Sequence, residues 1–361
     1  MKIKKLTNLS FNFEYRVSCL SWSPDNNYLA VATDEGEIAI VSTETFETRL
    51  NDQKEGSRSD SINCRWHSTH IYYAHPHPVT LVRFTSNSRA LISSSYYHST
   101  KLWSVRNGGQ LDRDSWEVEG VSSLETWNSQ FACLVEEAEV YVEIVDLISH
   151  ESIAKISLGK PLEPPLGTVS DNFVYFLNEE YLVACLNNKA ETSELVIRPT
   201  FTSAKENAEV LTLDYKVNSV YYDKINHLFY TSSLQDHSPV IRAYYVKEDF
   251  YDSHITTDCY LLSLPTIENH LSLKEKPLYQ TTKLVGTSNG IMLLGFDYRG
   301  FLEITELKRN GEVSGESDRV KTNLKKTDIS AWKNQVDISS DGHYLSYCDK
   351  KEVTICYLAK E

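Results

Sequence analysis

The chain has 361 residues, of which 41% are hydrophobic and 24% charged, the balance of an ordinary soluble globular protein. Its formal net charge of -14 repels a polyphosphate unless basic residues gather on one face, so direct nucleic-acid binding is disfavoured. No run approaches the ~18 apolar residues of a membrane helix, and the opening "MKIKKLTNLSF" has charge without an apolar stretch behind it. No membrane insertion is expected, and the cytoplasm or nucleus is the expected location.

The 22 tyrosines, 12 phenylalanines and 6 tryptophans against 2 methionines suit strands better than helices. Seven cysteines form no CxxC pair and are odd in number, which indicates neither a disulfide framework nor a zinc ribbon. Several lie in apolar alternation, where a cysteine acts as a small buried hydrophobe.

In chain order, the first clear unit is "CLSWSPDNNYLAVATDEGEIAIVS" at 19–42. Two polar turns, Ser23-Pro24-Asp25-Asn26 and Asp34-Glu35-Gly36, separate three strands. A fourth strand is expected at 45–50, "TFETRL", followed by a polar loop at 51–61. The same plan returns at 80–105, where Thr85-Ser86-Asn87 falls on Ser23-Pro24-Asp25. Weaker copies follow at 131–147, 172–199, 218–246 and 282–307. The last is "NQVDISSDGHYLSYCDKKEVTICYL" at 334–358, whose Asp341-Gly342 is a hairpin signal. Polar stretches at 248–276 and 308–330 read as inserted loops.

The first strands of these units are about 40–65 residues apart, which straddles the 40–45 residue repeat of a four-stranded blade. No segment sustains a helical apolar period. The expected fold is therefore all-β, a single β-propeller over 1–361 with about seven four-stranded blades. The last unit ends after three strands, so residues 1–11 are expected to supply its outer strand and close an open edge.

The stretch 74–105, "AHPHPVTLVRFTSNSRALISSSYYHSTKLWSV", resembles a blade of the WD40-repeat family. His75 falls on the family's histidine, Ser93 to Ser95 on its Ser-Gly-Ser and Trp103 on its tryptophan. In 19–42, Asp34 falls on the tight-turn aspartate. The resemblance implies that Asp34, His75, Ser93 and Trp103 are structural hydrogen-bonding positions. The set is never complete in one unit. Tyr97 stands where the aspartate belongs, while Val41 and Cys356 stand where a tryptophan belongs.

Chemistry-bearing residues concentrate at 64–78, "CRWHSTHIYYAHPHP". Cys64, His67, His70, His75 and His77 are possible zinc ligands, but their spacing fits no closed finger, and no metal or other cofactor is expected. Trp66, Tyr72 and Tyr73 on the same connection, with Tyr96, Tyr97 and His98 at a hairpin turn, are candidate partner-binding residues. Their bland alternative is packing in an inter-blade groove. No GxSxG, HExxH or P-loop run occurs, and no catalytic residue is expected. The resulting expectation is a non-catalytic scaffold or adaptor with protein partners. The alternatives are a propeller hydrolase or lyase with a channel site, or a lipid- or nucleic-acid-binding propeller. "FDYRGF" at 296–301 is only a distant echo of a paired basic lipid motif. Homo-oligomerisation is left open.

Overall fold

A computed structural model describes residues 2–43, 68–71, 73–95, 98–111, 118, 120–136, 139–159, 172–178, 181–188, 191–200, 209–236, 238–250, 257–263, 279–288, 290–297, 299–307, 318–322 and 333–359. They form antiparallel sheets almost without exception, as the alternation and turn residues predict. The chain divides into two compact units, Gly120–Lys333 and Lys2–Glu119 with Asn334–Glu361.

The second of these units holds three sheets. Strands β2 (Val17–Trp22), β3 (Tyr28–Thr33), β4 (Ile38–Ser42) and β5 (Ser68–Ile71) pair in that order. Strands β6 (Val79–Phe84), β7 (Ala90–Ser95) and β8 (His98–Ser104) form the next, with an isolated bridge from Trp103 to Gln110 beyond them. The third sheet has the order β1-β27-β26-β25, from Lys2–Asn12, Glu352–Ala359, Tyr344–Asp349 and Val336–Ile338. Here the strand at the start of the chain is the outer partner of the last one, from Lys2 opposite Ala359 to Asn12 opposite Glu352.

The apolar run "YLAVAT" of β3 is continuous because both faces of its sheet are covered. Leu29 and Val31, with Leu20 and Trp22, pack against Tyr344, Cys348, Val353 and Ile355. Ala30, Ala32 and Cys19 point the other way, onto Val79, Val82, Phe84 and Trp103. Period-two alternation thus sends large residues to one neighbour and small ones to the other. Each fully buried leucine or valine contributes about 1.5–3 kcal/mol.

The unit Gly120–Lys333 holds four sheets. They are β9 (Val121–Trp127) to β12 (Ser152–Gly159), β13 (Phe173–Phe176) to β16 (Glu209–Leu213), β17 (Ser219–Asp223) to β20 (Thr257–Ser263), and β21 (Tyr279–Thr287) to β24 (Asp318–Lys321). Successive sheets share buried clusters. Val142 and Ile144 meet Phe176 and Leu182, Val183 and Leu195 meet Val220 and Phe229, and Tyr230 and Ile241 meet Ile291 and Leu293. Cys19, Cys133, Cys185, Cys348 and Cys356 are all buried. Burial pushes the Cys19 thiol up to about 12, and those of Cys133 and Cys348 upward as well.

Outer strands correct the sequence reading in three places. The fourth strand of the first sheet is Ser68–Ile71, paired with β4, and residues 45–50 lie outside the described residues, as does the loop expected at 51–61. The segment 248–276, expected as a loop, contains the end of β19 (Ser238–Phe250) and all of β20, in register from Tyr244 opposite Ser263 to Phe250 opposite Thr257. The segment 308–330 contains β24, with Phe301 opposite Lys321. An edge strand needs one partner and no buried face, so "DRVK" and "TDCYLLS" pair without a regular apolar alternation.

Candidate interaction surface

The first-to-second strand turns of the three sheets in the smaller unit share one plan. In Ser23–Tyr28 the Ser23 hydroxyl donates to Asp25 Oδ1 at 2.6 Å and accepts from Tyr28 N at 2.9 Å. Asn27 N donates to the same carboxylate at 3.1 Å, and Asn26 sits in the left-handed region at φ 63°. Thr85–Ala90 repeats this with Asn87 in place of the aspartate and Ser88 at φ 58°. Ser339–Tyr344 repeats it again with Asp341 and with Gly342 at φ 74°.

The turns are also joined to one another. Asp25 N donates to Ser88 Oγ at 3.2 Å, and Ser340 Oγ donates to Asn26 Oδ1 at 2.8 Å. Burial works against the Asp25 carboxylate, but hydrogen bonds from Ser23, Asn27 and Ser88 outweigh it and hold its carboxyl below the usual range. Ser23, Pro24 and Asp25 are consumed by turn chemistry.

The connection from β5 to β6 carries the candidate residues. His75 is 1% exposed, and its Nε2 lies 2.7 Å from Ser93 Oγ on β7. Trp103 on β8 donates its indole N–H to the same oxygen at 2.8 Å. The imidazole and indole rings meet edge-on, with centroids 6.4 Å apart. Ser93 therefore ties a connecting loop to two strands of the second sheet. The loop is fixed again by its backbone: His75 N donates to Gly36 O at 3.1 Å, and Lys101 Nζ donates to Ala74 O at 2.7 Å. Asp34 sits in the turn that presents Gly36, with its amide donating to Arg16 O at 2.9 Å.

Tyr73 lies between these anchors and the end of β5. It is 87% exposed and has φ 55°, so a fixed loop presents an aromatic ring to solvent. Pro76, His77 and Pro78 beside it are exposed too. Sequence reasoning missed what surrounds Tyr73. The Tyr15 hydroxyl is pushed up first by the charge of Glu14, then by burial, Glu37, Glu35 and Tyr73. Tyr15, Tyr73 and three carboxylates thus share one neighbourhood. The acidic turn "DEGE" at 34–37 was its only signal in the sequence.

The other candidates divide as follows. Cys64, Trp66, His67, Tyr72, Tyr96 and Tyr97 lie outside the described residues. His70 lies on β5 opposite Ala39, and His98 opens β8 opposite Ser95. Among the described residues, no group of three or more histidine, cysteine or acidic side chains is placed to hold a metal ion. Also among the described residues, no helix is long and apolar enough to cross a membrane.

Comparison with known proteins agrees with this geometry. The family model described as the anaphase-promoting complex subunit 4 WD40 domain matches residues 9–87, which include the first sheet and the Tyr73 loop. No curated protein matches the chain by sequence. Among solved structures, the chain is similar to the β-propeller domain of Cps50 (Swd1) from Myceliophteria thermophila, with a TM-score of 0.63 at 13% identity, covering 99% of this chain and 100% of that one. It is similar to the WD40 repeats of RRP9, with a TM-score of 0.63 at 12% identity and coverage of 99% and 100%. U3-55K matches with a TM-score of 0.60 at 10% identity, covering 98% and 100%. The fold is that of the WD40 propellers. In sequence, the likeness to a WD40 family model extends over residues 9–87.

Proposed function

We propose that this protein is a non-catalytic interaction scaffold, an adaptor subunit that binds other proteins in a multiprotein complex in the cytoplasm or nucleus. The observation that carries this reading is Tyr73, a ring 87% exposed on a loop pinned at Ala74 and His75. A tyrosine offers a large contact area with few rotatable bonds, and a fixed loop has already lost the entropy that binding would otherwise remove. The carboxylates of Glu14, Glu35 and Glu37 around Tyr15 give this surface an acidic character that complements a basic partner. The family model matching 9–87 is itself named for a subunit of a complex.

The test compares wild type with Tyr73→Ala as bait in affinity purification at physiological salt. Tyr73→Ala is expected to fold normally and to retain its partner roughly tenfold less well, the effect of losing a binding hot spot. Equal recovery by the two baits would move the proposed contact away from this loop.

A further inference from the structure

The unit Gly120–Lys333 contains a cavity of about 530 Å³ that none of the sequence motifs announces. It lies where the first strands of four successive sheets end: Glu125 on β9, Tyr175 on β13, Tyr221 and Tyr222 on β17, and Thr287 on β21. Gly290 and Ile291 at the start of β22 complete the wall, and Ile225 on the β17–β18 hairpin stands at its edge, 71% exposed. The size falls within the roughly 300–1,000 Å³ of ligand pockets.

Its walls are fixed. The Tyr221 ring packs so closely on the bare backbone of Gly286 that a Cβ there would sit 2.0 Å from the ring. Tyr175 packs against the cluster of Leu177, Val217 and Val220. The charges are already engaged. The Lys224 ammonium lies 3.4 Å from the centre of the Trp127 ring. Burial lowers the Lys224 pKa, while the nearby Glu125 carboxylate opposes that. The Asp223 carboxylate accepts from Ile225 N at 3.0 Å and Asn226 Nδ2 at 2.7 Å.

We propose that this cavity is a docking pocket for one uncharged side chain, aromatic or branched aliphatic, carried by a segment of a partner protein. Lys224, Glu125 and Asp223 already engage one another or the hairpin, so an entering ion would give up water without gaining an unengaged counter-charge. An uncharged anchor meets three tyrosines and two isoleucines. The occupant is a partner and not a second copy of this chain, because two chains each of net charge -14 repel, whereas basic flanks on a partner segment are attracted. The proposal rests on the scaffold reading for the source of the segment.

The test measures binding of the full chain to fluorescein-labelled peptides of sequence Ser-Lys-Lys-X-Lys-Lys-Ser, with X as Phe, Leu, Ala, Arg or Glu, by fluorescence anisotropy. Phe or Leu at X is expected to bind at least about tenfold tighter than Ala, Arg or Glu. Ile225→Asp, a change at an exposed position that leaves the fold intact, is expected to remove that preference. Equal binding of all five peptides, tightest binding of Arg, or a Phe preference that survives in Ile225→Asp would each overturn the pocket. The two readings fail separately. Loss of the peptide preference leaves Tyr73-dependent partner recovery untouched, and a protein without partners can still show the preference.

Discussion

Replacing Gly36 by alanine is expected to cost at least about 3 kcal/mol, among the largest effects of any single methyl group added to this chain. Gly36 has φ 82°, where an L-residue pays roughly 1 kcal/mol or more. The remainder comes from what the new Cβ would meet. It would lie 1.9 Å from His75 O, 2.8 Å from His75 C and 3.2 Å from His77 O. These are backbone atoms, so no rotamer change relieves the overlap, and the whole β5–β6 connection must move. That movement would break the bond from His75 N to Gly36 O and pull His75 from Ser93. Urea unfolding checks this, with Glu35→Ala as the control at an exposed position in the same turn. The control is expected to stay within ~0.5 kcal/mol of wild type. A Gly36→Ala protein within about 1 kcal/mol of wild type would show that the close approach is wrong.

The second large effect is at Trp103, 5% exposed and packed among Val82, Phe84 and Leu91. Trp103→Ala removes a whole buried indole and is expected to cost about 3–5 kcal/mol. Trp103→Phe keeps most of the apolar contact and loses the N–H donor to Ser93, for about 1–2 kcal/mol. Ser93→Ala is expected to cost about 1–3 kcal/mol, because it leaves both the indole N–H and His75 Nε2 without that oxygen. If the serine links the three groups, the Phe and Ala changes combined cost less than their sum, with a coupling of ~0.5 kcal/mol or more. Strict additivity of the two changes in urea unfolding would mean that Ser93 is not the shared node.

What could be read from the chain follows from where the information sits. The inner strands were legible because both of their faces are buried, so "YLAVAT" and "IAIVS" carry apolar runs bounded by turn residues. Ser23, Asp25, Ser339 and Asp341 were legible as turn formers, since each turn is closed by its own side chains. The outer strands β5, β20 and β24 were not, because one neighbouring strand is all that such a strand requires. His75, Ser93 and Trp103 stood out through a resemblance, and no spacing rule alone would have joined residues of three separate segments. The Tyr15–Tyr73 neighbourhood and the cavity beside Ile225 were invisible for a further reason. Each is assembled from positions distant in sequence, such as Glu125, Tyr175, Tyr221 and Ile291. The small residue that makes room for Tyr221, Gly286, gives no sign of that role in the run "KLVGTSNG".

The most direct measurement of the scaffold reading is the native mass of the endogenous protein, isolated at physiological salt through a small tag. The expected result is a stable assembly of defined stoichiometry, several times the 41.3 kDa of the chain and containing other proteins, that loses those proteins when Tyr73 is changed to alanine. A single species of 41.3 kDa with no other chain present would contradict it.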